Sequence, residues 1–248
     1  MELQEIENRL AFINNIELGA PSQYADKSSV TIISANQNNS MAKVVNGSII
    51  YFDEKMTNQQ CEDVIFSTLF AQLTASKQYN RNTQFESWYR VYFDVLNTTG
   101  WSVSYNPFKS YKSTEAYIQL SYDVMRTMKN EAQASLIDGL NQAVEALYNN
   151  QSSRSAQLFD TVGNHTFQAL VTSSEQDMPT TTMGIFSMVA QSYPSRQFLF
   201  SAYPSSRSDL FYNIQKTTLN TYIYNQIREI VKTKLGPYIE TDIAPISF

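Results

Sequence analysis

Cys61 and His165 are the chain's one cysteine and one histidine, so a thiol–imidazole dyad would have to use that pair. Such a nucleophile also needs oxyanion donors and a group that orients the base. Nothing in the sequence supplies either. Cys61 instead shares a fourth-residue stripe with Ile65, Leu69 and Leu73, where a thiol acts as a small hydrophobe. It is kept as the one candidate for a reactive or acylated thiol. His165 would also have to serve any serine hydrolase, yet no G-x-S-x-G turn is present. Glycosidase chemistry needs two converging carboxylates. The pairs Asp53-Glu54 and Glu62-Asp63 flank a helix start, where negative charge answers the helix dipole. One Cys and one His leave zinc short of ligands. Seven glycines form neither a Walker A loop nor G-x-G-x-x-G. The expectation is a protein that is not an enzyme and uses no metal or cofactor.

The formal net charge is −5, and the 18 basic residues are scattered. Phosphate backbones are bound by basic patches, so nucleic acid is not an expected partner. Uncharged polar residues dominate the remaining surface, which lowers mutual repulsion and favours homo-oligomers or larger assemblies. The acidic start Met1-Glu2-Leu3-Gln4-Glu5 lacks the basic head and apolar core of a signal peptide. No apolar run approaches the roughly 20 residues that span a bilayer. A soluble protein is expected, made in the cytoplasm without a signal peptide and released by lysis or delivered by a dedicated machine. Sixteen tyrosines and fourteen phenylalanines are more than one core needs. Rings with an apolar body and a polar tip suit protein interfaces and bilayer boundaries.

The elements that would carry these residues follow from periodicity. Leu3, Ile6, Leu10 and Ile13 predict a first helix that ends at Gly19 and Pro21, and Val30–Ile33 a short strand. Asn46-Gly47 between Ala42–Val45 and Ser48–Phe52 predicts a hairpin with a type I′ turn. A helical half, about 57–148, opens with the capping-box spacing Thr57 to Gln60 and continues with a second box, Thr83 to Glu86. Trp101, Val103 and Tyr105 alternate as a brief strand. Two further helices carry the stripes Tyr117–Leu120–Val124–Met128 and Leu136–Leu140–Leu147, and 149–155 reads as a mobile loop. From about 165 to 216 the period is two, which predicts an antiparallel meander. Ser173–Pro179 reads as a turn within it, and Phe198–Tyr203 and Leu210–Gln215 as its last two strands. Leu219–Leu235 is a closing helix stopped by Gly236-Pro237. The tail 238–248 has no clear period. With no linker in the composition, 1–248 is expected to form a single α+β domain, an antiparallel sheet layered with amphipathic helices.

Phe198-Leu199-Phe200, the Ser-rich turn after it and Tyr212-Asn213-Ile214-Gln215 resemble the late strand–turn–strand of the Cyt-type cytolytic δ-endotoxins. The order of helices before meander is similar too. The resemblance implies a fold of helices packed around an antiparallel sheet and an attack on membranes without covalent chemistry. It also implies that Phe198, Phe200, Leu210, Tyr212 and Ile214 contact lipid. The Leu219–Leu235 helix and the Asn46-Gly47 hairpin depart from that pattern. The reading is a non-enzymatic toxin or virulence-type protein that binds or perturbs a membrane by moving helices away from an amphipathic sheet. The alternative is a self-assembling structural or interaction protein, a component of a crystal, filament or complex.

Overall fold

The computed structural model describes residues 2–19, 41–163, 165–194 and 197–248. The expected strand at 30–33 lies outside them. Helix α1 (Glu2–Asn15) is followed by the hairpin β1 (Ala42–Val45) and β2 (Ser48–Phe52). Its turn differs from the type I′ expectation: Asn46 is left-handed at φ 51°, but Gly47 is not. Gly47 also leaves room for a neighbour: a Cβ there would sit 2.2 Å from the guanidinium of Arg81, which would have to move aside.

Thr57 caps α2 (Asn58–Gln78) through the full capping box with Gln60, so two orphan backbone donors are satisfied reciprocally. Helix α3 (Phe85–Thr98) starts without the second box; Gln84 precedes it and makes no side-chain cap. The Asn80 side chain instead accepts the Asn82 and Thr83 amides. The brief strand expected at 101–105 is reduced to one bridge, Trp101 to Leu219. Two short strands, β3 (Lys109–Tyr111) and β4 (Tyr117–Gln119), lead into α4 (Leu120–Met128) and α5 (Ala134–Asn149). The polar stretch read as a loop stops at Ser153. Its hydroxyl accepts the Ala156 amide at 3.2 Å, and α6 (Arg154–Gly163) begins there.

Strands β5 (Thr166–Glu175) and β6 (Met178–Ala190) extend through most of the expected 173–179 turn. Only Gln176 and Asp177 turn, at φ 51° and 63°, the sign pair of a type I′ hairpin. Phe198–Phe200 is a 3-10 turn rather than a strand, and β7 (Ala202–Pro204) pairs with β4 in a separate two-stranded sheet. Strand β8 (Ser208–Thr218) completes the meander beside β6. The closing helix α7 (Thr221–Leu235) has Asn220 as N-cap. In the tail, α8 (Tyr238–Asp242) leads to β9 (Ile243–Pro245), which pairs with β1.

The main sheet runs β3-β8-β6-β5-β2-β1-β9. It is antiparallel except where β2 meets β5, Ser48 opposite Gln168, so the early hairpin and late meander form one sheet. Helices cover both faces. One core gathers α2, α3 and α7 around Phe70, Trp88, Tyr92 and Ile227. The other gathers α4, α5 and α6 around Val124, Leu140, Phe159 and Phe186. The result is one α+β domain with helices layered on a mostly antiparallel sheet.

Candidate functional site

Three adjacent strands, β5, β6 and β8, are 10, 13 and 11 residues long. At about 3.3 Å per residue each is long enough to cross the roughly 30 Å core of a bilayer. Their registers sort the side chains cleanly, because the period of a strand is two. Phe167, Phe186 and Tyr212 stand side by side, then Ala169, Gly184 and Ile214, then Val171, Thr182 and Lys216. Met188 and Leu210 extend the first end of this face. This middle stretch is apolar apart from Thr182 and Lys216. Beyond it the same face turns polar, with Ser173, Thr180 and Thr218 in one row and Glu175 past them, and Ser208 beside Ala190 at the other end.

The opposite face is mainly polar and uncharged. It carries Thr166 and Ser187, then Gln168 and Asn213, then Gln215, then Thr172, Thr181 and Thr217, with Leu170, Met183, Ile185 and Phe211 interspersed. Several of these buried polar groups bond to one another, although Gln168 Nε2 and Thr217 Oγ1 find no hydrogen-bond partner among the described residues. Gln72 on α2 donates to Gln168 at 2.9 Å and to Ser48 at 2.6 Å, and Ser48 donates to Gln168. Thr172 and Thr181 are 2.9 Å apart across the pair. No Asp, Glu, Lys or Arg occurs from Thr166 to Ser174, in β6, or from Leu210 to Gln215.

The two helical layers are tied on differently. On the polar side, Gln60 and Gln72 of α2 hydrogen-bond to Ser174 and Gln168 of β5. The Arg228–Asp63 ion pair clamps α7 to α2 at 2.7 Å. On the apolar side, α4–α6 rest on the sheet through Val124, Met128, Leu136, Leu140, Val144 and Phe159. Close approach there depends on glycine: a Cβ on Gly139 of α5 would reach 2.0 Å from the Tyr51 ring. At the rim the Tyr111 hydroxyl donates to Asp123 at 2.6 Å.

All five residues expected to meet lipid lie on this apolar side. Phe198 and Leu210 are buried, while Phe200, Tyr212 and Ile214 are half-buried and pack against the same core. Phe198 and Phe200 sit on the 3-10 turn, not on a strand. The Phe198 ring meets Phe167 edge-on at 5.8 Å, and its carbonyl accepts the Tyr203 hydroxyl at 3.1 Å. Sequence reasoning missed Phe167, Phe186 and Met188 as members of this face. Their alternation was visible, but only the register shows that they continue the row of Leu210, Tyr212 and Ile214.

Cys61 lies half-buried on α2 against the first core. Burial pushes its thiol up to about 11, although nearby Lys43 pulls the other way. His165 stacks on Tyr193 at 4.1 Å, with its pKa lowered by burial. The thiol and imidazole are not brought together: Cys61 packs on the α2–α3–α7 side, whereas Tyr193 packs on Phe198 of the other core. Among the described residues no group of three or more His, Cys, Asp or Glu gathers to hold a metal ion. Among them, too, no helix is long and apolar enough to cross a membrane.

No protein-family model matches the chain, and no curated protein matches it. Among solved structures, one described as a delta-endotoxin aligns with a TM-score of 0.40 at 10% sequence identity. The alignment covers 72% of this chain and 86% of that one. At that score the likeness is a weak resemblance of fold.

Proposed function

We propose that this chain is a membrane-active toxin or virulence-type protein that works without covalent chemistry. It releases the α4–α6 layer and sets the apolar face of β5, β6 and β8 in lipid. The carrying observation is the pairing of length with sidedness. Three contiguous strands long enough to span a bilayer are apolar through the middle of one face, from Met188 and Leu210 to Ala169 and Val171, and mainly polar and uncharged on the other. Transmembrane strands alternate in that way, apolar toward lipid and polar toward the lumen. The layer that leaves is the one held by apolar contact, and lipid tails replace that contact. The hydrogen-bonded α2 and the α7 clamped to it stay with the polar face.

Backbone donors at an open sheet edge cannot be left in hydrocarbon, so only closed barrels span membranes as strands. Three strands do not close a barrel, and several copies would have to pair edge to edge. In the folded state both edges, β3 and β9, are only three residues long. Short edges offer little to pair with, which keeps the chain from assembling before its layers open.

The test is dye release from loaded vesicles, with Ile214→Lys as the diagnostic variant. Ile214 lies in mid-strand on the apolar face, and it is half-buried one row from Lys216. The variant should therefore fold. A lysine at the bilayer midplane costs about 2–4 kcal/mol, so release should fall by about thirtyfold or more. Intact vesicles across lipid compositions and pH, with or without limited proteolysis of the protein, would remove the proposal.

A further inference from the structure

A second feature lies on the other side of the sheet, between α3 and the segment that follows it. A cavity of about 490 Å³ opens there, walled by Phe85, Tyr89, Phe93, Tyr105, Phe108 and Phe211. Its corners are close to square. Phe85 meets Phe108 at 86° with ring centres 5.2 Å apart, and Phe93 meets Tyr105 at 72° and 5.6 Å. Tyr89 and Phe93, each 2% exposed, make the floor, while Tyr105, 53% exposed, stands as the outer wall.

The walls are held in place before any ligand arrives. Two amide side chains of β8 fasten the outer segment to the sheet. Gln215 accepts the Ser104 amide at 2.9 Å and returns a bond to the Ser104 carbonyl at 3.3 Å. Asn213 donates to the Asn106 carbonyl at 2.8 Å. The Tyr105 hydroxyl donates to the Asp94 carboxylate, and partial burial followed by that carboxylate keeps the phenol neutral well above its ordinary range. A box preorganised in this way spends little of its binding energy on ordering.

We propose that this box binds an alkylammonium group, with a trimethylammonium head seated among the rings. Aromatic faces carry negative quadrupole charge, and several of them around one cation form the usual site for quaternary ammonium. Charge points the same way. The face of α3 at the rim carries Glu86, Arg90 and Asp94 at four-residue spacing, a net negative row, with Glu86 and Arg90 lining the mouth. Arg90 leaves a place for an anionic group further along the ligand, so a zwitterion fits best. This site is independent of the strand-insertion reading and stands whether or not the strands enter lipid.

The experiment titrates the whole protein with choline and with its neutral isostere 3,3-dimethylbutan-1-ol, read by calorimetry and by shifts of the ring proton resonances. Choline should saturate the site, and the isostere should bind about tenfold more weakly or worse. Tyr105→Leu and Glu86→Gln both change exposed side chains, so the fold should persist. Each should weaken choline by about twofold to thirtyfold. Trimethyl-lysine and phosphatidylcholine vesicles, against phosphatidylglycerol vesicles, separate the sources of the head. Vesicle binding that choline displaces assigns a lipid headgroup; binding of free choline or trimethyl-lysine alone assigns a soluble ligand. Equal affinity for choline and its isostere, no saturable choline binding, unchanged affinity in both variants, or a preference for glucose would overturn the assignment.

Discussion

Removing Arg228 should damage the fold more than removing its partner, although both belong to one ion pair. Asp63 on α2 is 2% exposed at its side chain and Arg228 on α7 is 21% exposed. The contact is bidentate: Nε and Nη2 each lie 2.7 Å from a carboxylate oxygen. Gln59 adds one donor at 2.9 Å. In Arg228→Met the carboxylate stays buried with Gln59 as its remaining side-chain donor, and stranding a buried charge costs about 3–5 kcal/mol. In Asp63→Asn the guanidinium keeps Asn225 and its access to water, so the loss is closer to a charged hydrogen bond, about 1.5–3 kcal/mol. For a chain of this size each kcal/mol moves Tm by roughly 2–4 °C. Arg228→Met should then lower Tm by about 6–20 °C, and Asp63→Asn by about 3–12 °C. The double variant Asp63→Leu with Arg228→Met should recover much of the loss, because apolar replacement of a whole buried pair is often neutral. Thermal and urea unfolding followed by circular dichroism measure all three. If Arg228→Met costs less than Asp63→Asn, or the double variant is the least stable, the clamp does not work by burial of the carboxylate.

Two further outcomes concern the lone thiol and the lone imidazole. With its pKa raised from 9.0 to about 11, Cys61 should react with iodoacetamide near neutral pH about a hundredfold more slowly in the folded protein than in urea, since the thiolate is the nucleophile. Comparable rates in both states would reveal an open, activated thiol. His165 is held neutral by burial, so on acidification its unfolded form takes up a proton first, near pH 6.5. Stability from this group is full above that pH and declines as pH falls toward the lower folded pKa. Tm should therefore drop more steeply below pH 6.5 in the natural chain than in His165→Gln, and parallel curves would rule the imidazole out as the cause.

Local chemistry was legible where a few neighbouring residues decide the backbone. Asn46-Gly47 marks the first hairpin, Thr57 and Gln60 cap α2 as their spacing predicts, and Gly236 ends the closing helix with a positive φ of 29°. The aromatic surplus was legible too, but as a count and not as a place. Tyr89 and Tyr105 stand 16 positions apart in sequence, and only the packing of α3 against the following segment makes them floor and wall of one cavity.

Composition and periodicity were enough to establish helices layered on a mostly antiparallel sheet, because amphipathic stripes and alternating runs must each bury an apolar side. Tertiary structure decided what no local pattern contains. Phe198-Leu199-Phe200 reads equally well as strand or turn, and it turns because Gln197 adopts φ 61° and the Phe198 ring is drawn into the core beside Phe167. Ile243–Pro245 becomes a strand only because β1 offers it an edge. The parallel join of β2 to β5 links Ser48 to Gln168 across 120 positions. Pairings that distant are fixed by which faces can be buried together, and that is a property of the assembled layers and not of any stretch within them.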